Sequence, residues 1–192
     1  MTAIVTRPCV RIVVCGNADR GDDGAALAAV ATLLPTLPRE ILSKLEVRRC
    51  QELRVEDLLD LPKGSACLIL DAVAGAEAGS VVRMPLSELT EGAGFTPRSS
   101  HQLPLMLVIG LAGVMRQGPI EGLFLGIGGR AFGYGTPLSR AVRAGMPAFR
   151  AAVSAALSEM TSEPTARPAR PRRRSAPAGD TAVAAKPRGL RP

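Results

Sequence analysis

Two aspartates and one histidine, far apart in the chain, supply the groups that chemistry at a divalent metal needs. Asp23 lies in the segment Gly16-Asn17-Ala18-Asp19-Arg20-Gly21-Asp22-Asp23-Gly24, directly behind the apolar run Val10 to Cys15. Asp71 closes a second apolar run, Ala66 to Leu70. His101, the only histidine, sits in a polar junction just before the apolar stretch Leu103 to Met115. Two carboxylates and one imidazole make a mixed oxygen and nitrogen donor set. With open positions, such a set suits nickel, iron or zinc better than magnesium, which favours oxygen and water. The chain has no second histidine and no Cys-x-x-Cys pair, so a tight structural metal site is not expected. Singly, each residue has a plainer explanation: Asp23 as a helix cap, Asp71 as a strand-end acid, His101 as a surface or cap residue. Their joint placement points to a site, because ligands of α/β folds bind in the crevice outside the carboxyl ends of the strands.

The elements that must position these residues follow from periodicity and punctuation. Residues 9–15 form an apolar run broken only by Arg11, which suits a central strand covered on both faces. Asp22 or Asp23 can cap the next helix, with Leu27, Val30, Leu33 and Leu34 as its apolar positions and Pro35 and Pro38 as its stop. Residues 44–50 read as a second strand, so strand, helix and strand make a right-handed crossover with a parallel pair. A short helix over 54–61, a strand over 66–70 ended by Asp71, and an edge strand Val81 to Met84 ended by Pro85 follow. Residues 103–115 predict a helix that is apolar nearly all round and therefore buried. Gly122 to Ile127 is the last strand, and Thr136-Pro137 marks the start of a helix reaching about residue 160, with a kink near Gly145 and Pro147.

Charge is unevenly distributed. The net +7 comes mainly from residues 161–192, which hold eight Lys or Arg and two acids, leaving sixteen basic and fifteen acidic residues elsewhere. Beyond about residue 162 the composition turns to Pro, Arg, Ala and Ser, too poor in apolar surface to offset chain entropy. We therefore divide the chain into an α/β domain over 1–162 and a disordered basic tail over 163–192. The tail reads as a solvated segment, with an acidic partner as its docking alternative; no nucleic acid and no membrane is expected as a partner. Cys9, Cys15, Cys50 and Cys67 read as buried free thiols, each in or beside a strand. The N-terminal residues lack a signal-peptide pattern, and no stretch suits a bilayer span, so a cytoplasmic protein is expected.

These motifs resemble the hydrogenase maturation proteases, endopeptidases that trim the C-terminus of the nickel-iron hydrogenase large subunit. The family pattern of Gly-Asn after the first strand, then an acidic pair and Gly, is matched by Gly16-Asn17 and Asp22-Asp23-Gly24. Leu70-Asp71-Ala72 matches its second acid, Ser99-Ser100-His101 its histidine, and Gly133 to Ser139 its late Gly-rich segment, so the resemblance spans about residues 9–160. It implies a single three-layer domain, with a twisted, mostly parallel five-stranded sheet and helices on both faces. It also implies an aspartic-type endopeptidase whose nickel is borne by the substrate, the large-subunit precursor. Asp23, Asp71 and His101 would contact that nickel and check that the precursor is ready; which group activates the attacking water stays open. Asp19-Arg20 stand where the family has an apolar residue, and Ala25-Ala26 where it often has a second glycine. These departures alter the turn more than the ligands.

Two other readings compete. A phosphoacceptor receiver-like domain also places acids after its first strand and at the end of its third. It needs a Lys after its last strand, and none occurs between Lys63 and Lys186. An inactive binding homologue is the second alternative, against which the three intact residues argue. A dinucleotide-binding domain is set aside, since the first turn lacks Gly-x-Gly-x-x-Gly and its acids would repel a pyrophosphate.

Overall fold

The computed structural model describes residues 10–90 and 104–162. Cys9, His101 and the basic tail lie outside them. Five strands form one sheet: β1 Val10–Cys15, β2 Leu45–Cys50, β3 Ala66–Ala74, β4 Val81–Pro85 and β5 Gly122–Gly129. Their order is β2-β1-β3-β5-β4. β1, β2, β3 and β5 run parallel, and only β4, at an edge, is antiparallel to its neighbour. Pro85 ends β4 there, where a residue without an N–H is tolerated.

Alternation along β1 divides the core in two. Val10, Ile12 and Val14 pack on one side with α1 (Ala25–Leu33) and α6 (Arg140–Thr161). A short helix, α2 (Arg39–Leu42), leads into β2. Val13 and Cys15 pack on the other side with α3 (Glu56–Leu59), α4 (Leu86–Thr90) and α5 (Leu105–Met115). The result is the three-layer α/β domain implied by the sequence. Arg11, inside this buried strand, is only 2% exposed. It donates to Glu46 at 2.8 Å and to Asp60 at 2.6 Å, the pairing that a buried guanidinium requires. Among the described residues no helix is long and apolar enough to cross a membrane.

Four local expectations need correction. First, neither Asp22 nor Asp23 caps α1. A 3-10 turn, Gly21–Gly24, precedes the helix, and Gly24 is its N-cap without a side-chain bond. Second, α1 buries Ala25, Ala26, Ala29 and Val30, while Leu27, Leu33 and Leu34 pack at its margin. Small side chains let this helix close on the sheet and on α6. Third, α5 is not buried all round. Leu105, Val108, Ile109 and Ala112 face the sheet, but Leu107, Leu111, Val114 and Met115 are exposed. Fourth, α6 begins at Arg140, not at Pro137; Ser139 is its N-cap, and its Oγ accepts the Val142 N–H at 3.3 Å. The helix continues through Pro147. Gly145 lies directly on the backbone of Gly79, and a Cβ on either would collide with the other segment, so α6 meets the β3–β4 turn with no side chain between.

Candidate active site

The first turn is built so that one of its acids faces back toward the strand it came from. Gly16 leaves β1 at φ +122°, a conformation that favours glycine, and a Cβ there would run into the Asp23 carbonyl. Asn17 Oδ1 accepts the Asp19 N–H at 2.9 Å, closing an Asx turn. The Asn17 N–H in turn donates to Asp23 Oδ2 at 2.9 Å. Asp23 is 2% exposed, and its carboxylate lies against the carboxyl end of β1.

Asp22, beside it, does something different. Its Oδ2 accepts the N–H groups of Arg130 and Ala131, both at 2.9 Å, and its Oδ1 accepts the Ser139 N–H at 2.6 Å. Burial alone would raise the Asp22 pKa, but these amides outweigh it and hold the carboxyl below its ordinary value. Asp22 N–H donates to Ala131 O, and Gly135 N–H donates to Asp19 O, each at 2.7 Å. The first turn and the β5–α6 loop are thereby fastened into one platform at the carboxyl ends of the strands. Sequence reasoning did not assign Asp22 this role; its only signal was the presence of two adjacent acids, of which one cap suffices.

Asp71 does not end its strand. β3 continues to Ala74, and Asp71 pairs in register with Gly126 of β5. It is 2% exposed, and its Oδ1 accepts the Ala72 N–H at 2.7 Å. Strand alternation puts it on the α5 side of the sheet, the side of Ile69 and Val73. Cys15, the last residue of β1, occupies that same side. Its Sγ lies 3.5 Å from that of Cys50, and the contact with Cys50, burial and the negative charge of Asp71 all raise the Cys15 pKa. Burial pushes the Cys67 thiol up to about 12. All three described cysteines are free thiols; Cys15 and Cys67 are buried, whereas Cys50 is only half-buried.

The structure thus brings Asp23 and Asp71 to the end of β1, one from the 3-10 turn and one from the neighbouring strand, against which that turn packs. His101, the third sequence-assigned residue, lies outside the described residues. The helix that follows it in the chain, α5, is on the same side of the sheet as Asp71. Among the described residues, no three His, Cys, Asp or Glu side chains are grouped so as to hold a metal ion. Two carboxylates can supply oxygen ligands to an incoming borderline divalent ion and can take a proton from a water bound beside it. Their buried position also bears on the receiver-like alternative, since Asp71 sits three residues inside β3 rather than at its exposed end.

No protein-family model and no curated protein matches the chain. Solved structures do match in fold. The hydrogenase maturating endopeptidase HybD from E. coli superposes with a TM-score of 0.63 at 21% identity, covering 78% of this chain and 92% of that one. The NiFe hydrogenase maturation protease HybD from Thermococcus kodakarensis gives 0.58 at 24% identity, over 76% of this chain and 97% of that one. A second such protease, HycI from Thermococcus kodakarensis KOD1, gives 0.59 at 18% identity, over 79% and 93%. The α/β fold of this chain is therefore the fold of these proteins, over nearly their whole length.

Proposed function

We propose that this chain is an endopeptidase of hydrogenase maturation. It removes a short C-terminal peptide from the nickel-loaded large-subunit precursor of a nickel-iron hydrogenase, in the cytoplasm. The observation that carries this reading is the convergence of the buried Asp23 and Asp71 on the end of β1, in a fold shared with proteins named as maturation proteases. The nickel belongs to the substrate. Asp23, Asp71 and His101 offer two carboxylates and one imidazole to it, a donor set suited to nickel. Recognition of the metal would anchor the precursor so that the scissile bond lies beside these groups. Hydrolysis then needs a water whose proton passes to a base as its oxygen attacks the peptide carbonyl, and a carboxylate beside a divalent ion suits that role.

The deciding experiment compares the intact mass of the cognate large subunit from nickel-replete cells with and without this protein. A shorter C-terminus only when the protein is present is the expected result and identifies the bond cut. An unchanged mass in both strains would overturn the protease reading.

A further inference from the structure

The platform formed by the first turn and the β5–α6 loop carries a cation that the groups at Asp23 and Asp71 do not use. Arg20 lies in the first turn and is bridged to Thr136 of the opposite loop. Its guanidinium carbon stands 5.1 Å from the centre of the Tyr134 ring, within cation–π range. Tyr134 itself is 72% exposed, so the stacked pair lies at the rim of the platform. A cation–π contact leaves the guanidinium N–H donors still to be satisfied. Arg20 Nε is buried and has no acceptor, and the two Nη groups have no hydrogen-bond or ion-pair partner among the described residues.

Other arginines of the fold show the contrast. Arg11 and Arg48 bond to Glu46 and Asp60, Arg83 bonds to Glu159, and Arg116 donates to the carbonyls of Leu58 and Leu59. Among the described residues, Arg20 Nε is the one buried side-chain nitrogen or oxygen without a partner. Buried donors in native structures are nearly always satisfied, and one that is not, such as Arg20 Nε, calls for an explanation. A guanidinium kept beside an aromatic ring, with both Nη groups free, can make two parallel bonds to a carboxylate.

We infer that Arg20, held by Tyr134, is a specificity-determining residue that takes a carboxylate of the polypeptide substrate. The inference rests on the endopeptidase reading for the identity of that polypeptide. Arg20 is also one of the residues by which this chain departs from the apolar pattern of the proteases it resembles. The carboxylate comes either from an Asp or Glu side chain of the precursor's C-terminal segment or from its terminal carboxyl group.

The test uses the full chain, labelled with 15N, and a metal-free synthetic peptide comprising the last 30 or so residues of the cognate precursor. Burial shields Arg20 Nε–H from solvent exchange, and the signal is identified by its loss in Arg20→Lys. The peptide is expected to shift this signal saturably. Loss of the shift on amidating the peptide terminus assigns the terminal carboxyl group. Loss on changing its Asp and Glu to Asn and Gln assigns a side chain. No shift, or the same shift from a peptide lacking both kinds of carboxylate, overturns the inference. In processing of nickel-loaded precursor, Arg20→Met is expected to raise KM about tenfold or more with little change in kcat. An unchanged KM overturns the inference, given a thermal unfolding midpoint equal to that of the unaltered chain. If the unaltered chain leaves the precursor uncut, the endopeptidase reading falls, while the peptide titration still decides for or against Arg20.

Discussion

The two ends of β1 bury charge in opposite ways. Near its amino end, Arg11 is enclosed by Glu46 and Asp60, with Arg48 bridging the same two carboxylates. Charge there is matched by charge. Beyond its carboxyl end, Asp22 is held by three neutral backbone amides, and Asp23 and Asp71 each accept a backbone N–H as well. Peptide dipoles stabilise a carboxylate without cancelling its charge, so Asp22 keeps its negative charge there. The first arrangement belongs to a scaffold. The second fastens two loops together beside the candidate site.

The sharpest way to break this contrast is to neutralise the acids at the carboxyl end. Asp23→Asn, Asp71→Asn and His101→Ala should each slow precursor processing by roughly 100-fold or more, with unfolding midpoints close to that of the unaltered chain. Normal processing by all three would remove the site from these residues. Asp22→Ala should act on stability instead. It strips the acceptor from three part-buried N–H groups, and a loss of about 2 kcal/mol or more is expected in urea unfolding. A loss below about 1 kcal/mol would mean that the platform does not depend on Asp22.

At the other end, Arg11→Met should cost about 1–3 kcal/mol while leaving processing intact. It removes a buried cation whose partners can turn to water, Asp60 being 60% exposed. A processing defect at unchanged stability would erase the distinction between the two ends. The smallest expected effect is acid sensitivity. Asp22, Glu46 and Asp60 all titrate below their ordinary values. For Asp22 and Glu46 burial pushes upward but is outweighed, by amides in one and by Arg11 and Arg48 in the other; for Asp60 the bond from Arg48 is the leading cause. A lowered folded-state pKa means that the unfolded chain binds more protons in that range, so stability rises with pH there. These contributions are complete above the ordinary carboxylate values of 3.8 and 4.5 and fade as pH falls through the lower folded values. Arg11→Met should flatten the acid limb of a stability–pH curve partly, leaving the shares due to Asp22 and to Arg48. An unchanged limb would show that Arg11 contributes nothing to it.

Much of this was legible in the residues. β1 announced itself as an apolar run, β4 as an edge strand by Pro85, and the first turn as a candidate site by its acids. The length of β3 was hidden because Ala72-Val73-Ala74 has no polar alternation; only pairing with Ile127-Gly128-Gly129 makes it a strand. In α5, a nearly uniform apolar composition carries no period, so nothing in it distinguishes the buried face from the exposed one. The burial of alanines in α1 reverses the usual weighting toward leucine, because the space between sheet and α6 decides which side chains fit. Adjacent acids such as Asp22 and Asp23 cannot be told apart by type or spacing. Only the position of the β5–α6 loop shows which one is fastened to backbone.

That fastening also sets an order of events. The amides that hold Asp22 belong to residues 108, 109 and 117 positions further along the chain. They follow β5, which inserts between β3 and β4. Closing so long a loop is a late step, since its entropy must be lost before its bonds can form. A nascent chain that has emerged only as far as β3 already contains Asp23 and Asp71, yet lacks the amides that fix the turn carrying Asp23. The candidate site therefore matures with the last third of the fold, and a chain interrupted in synthesis carries both acids without the platform beside them.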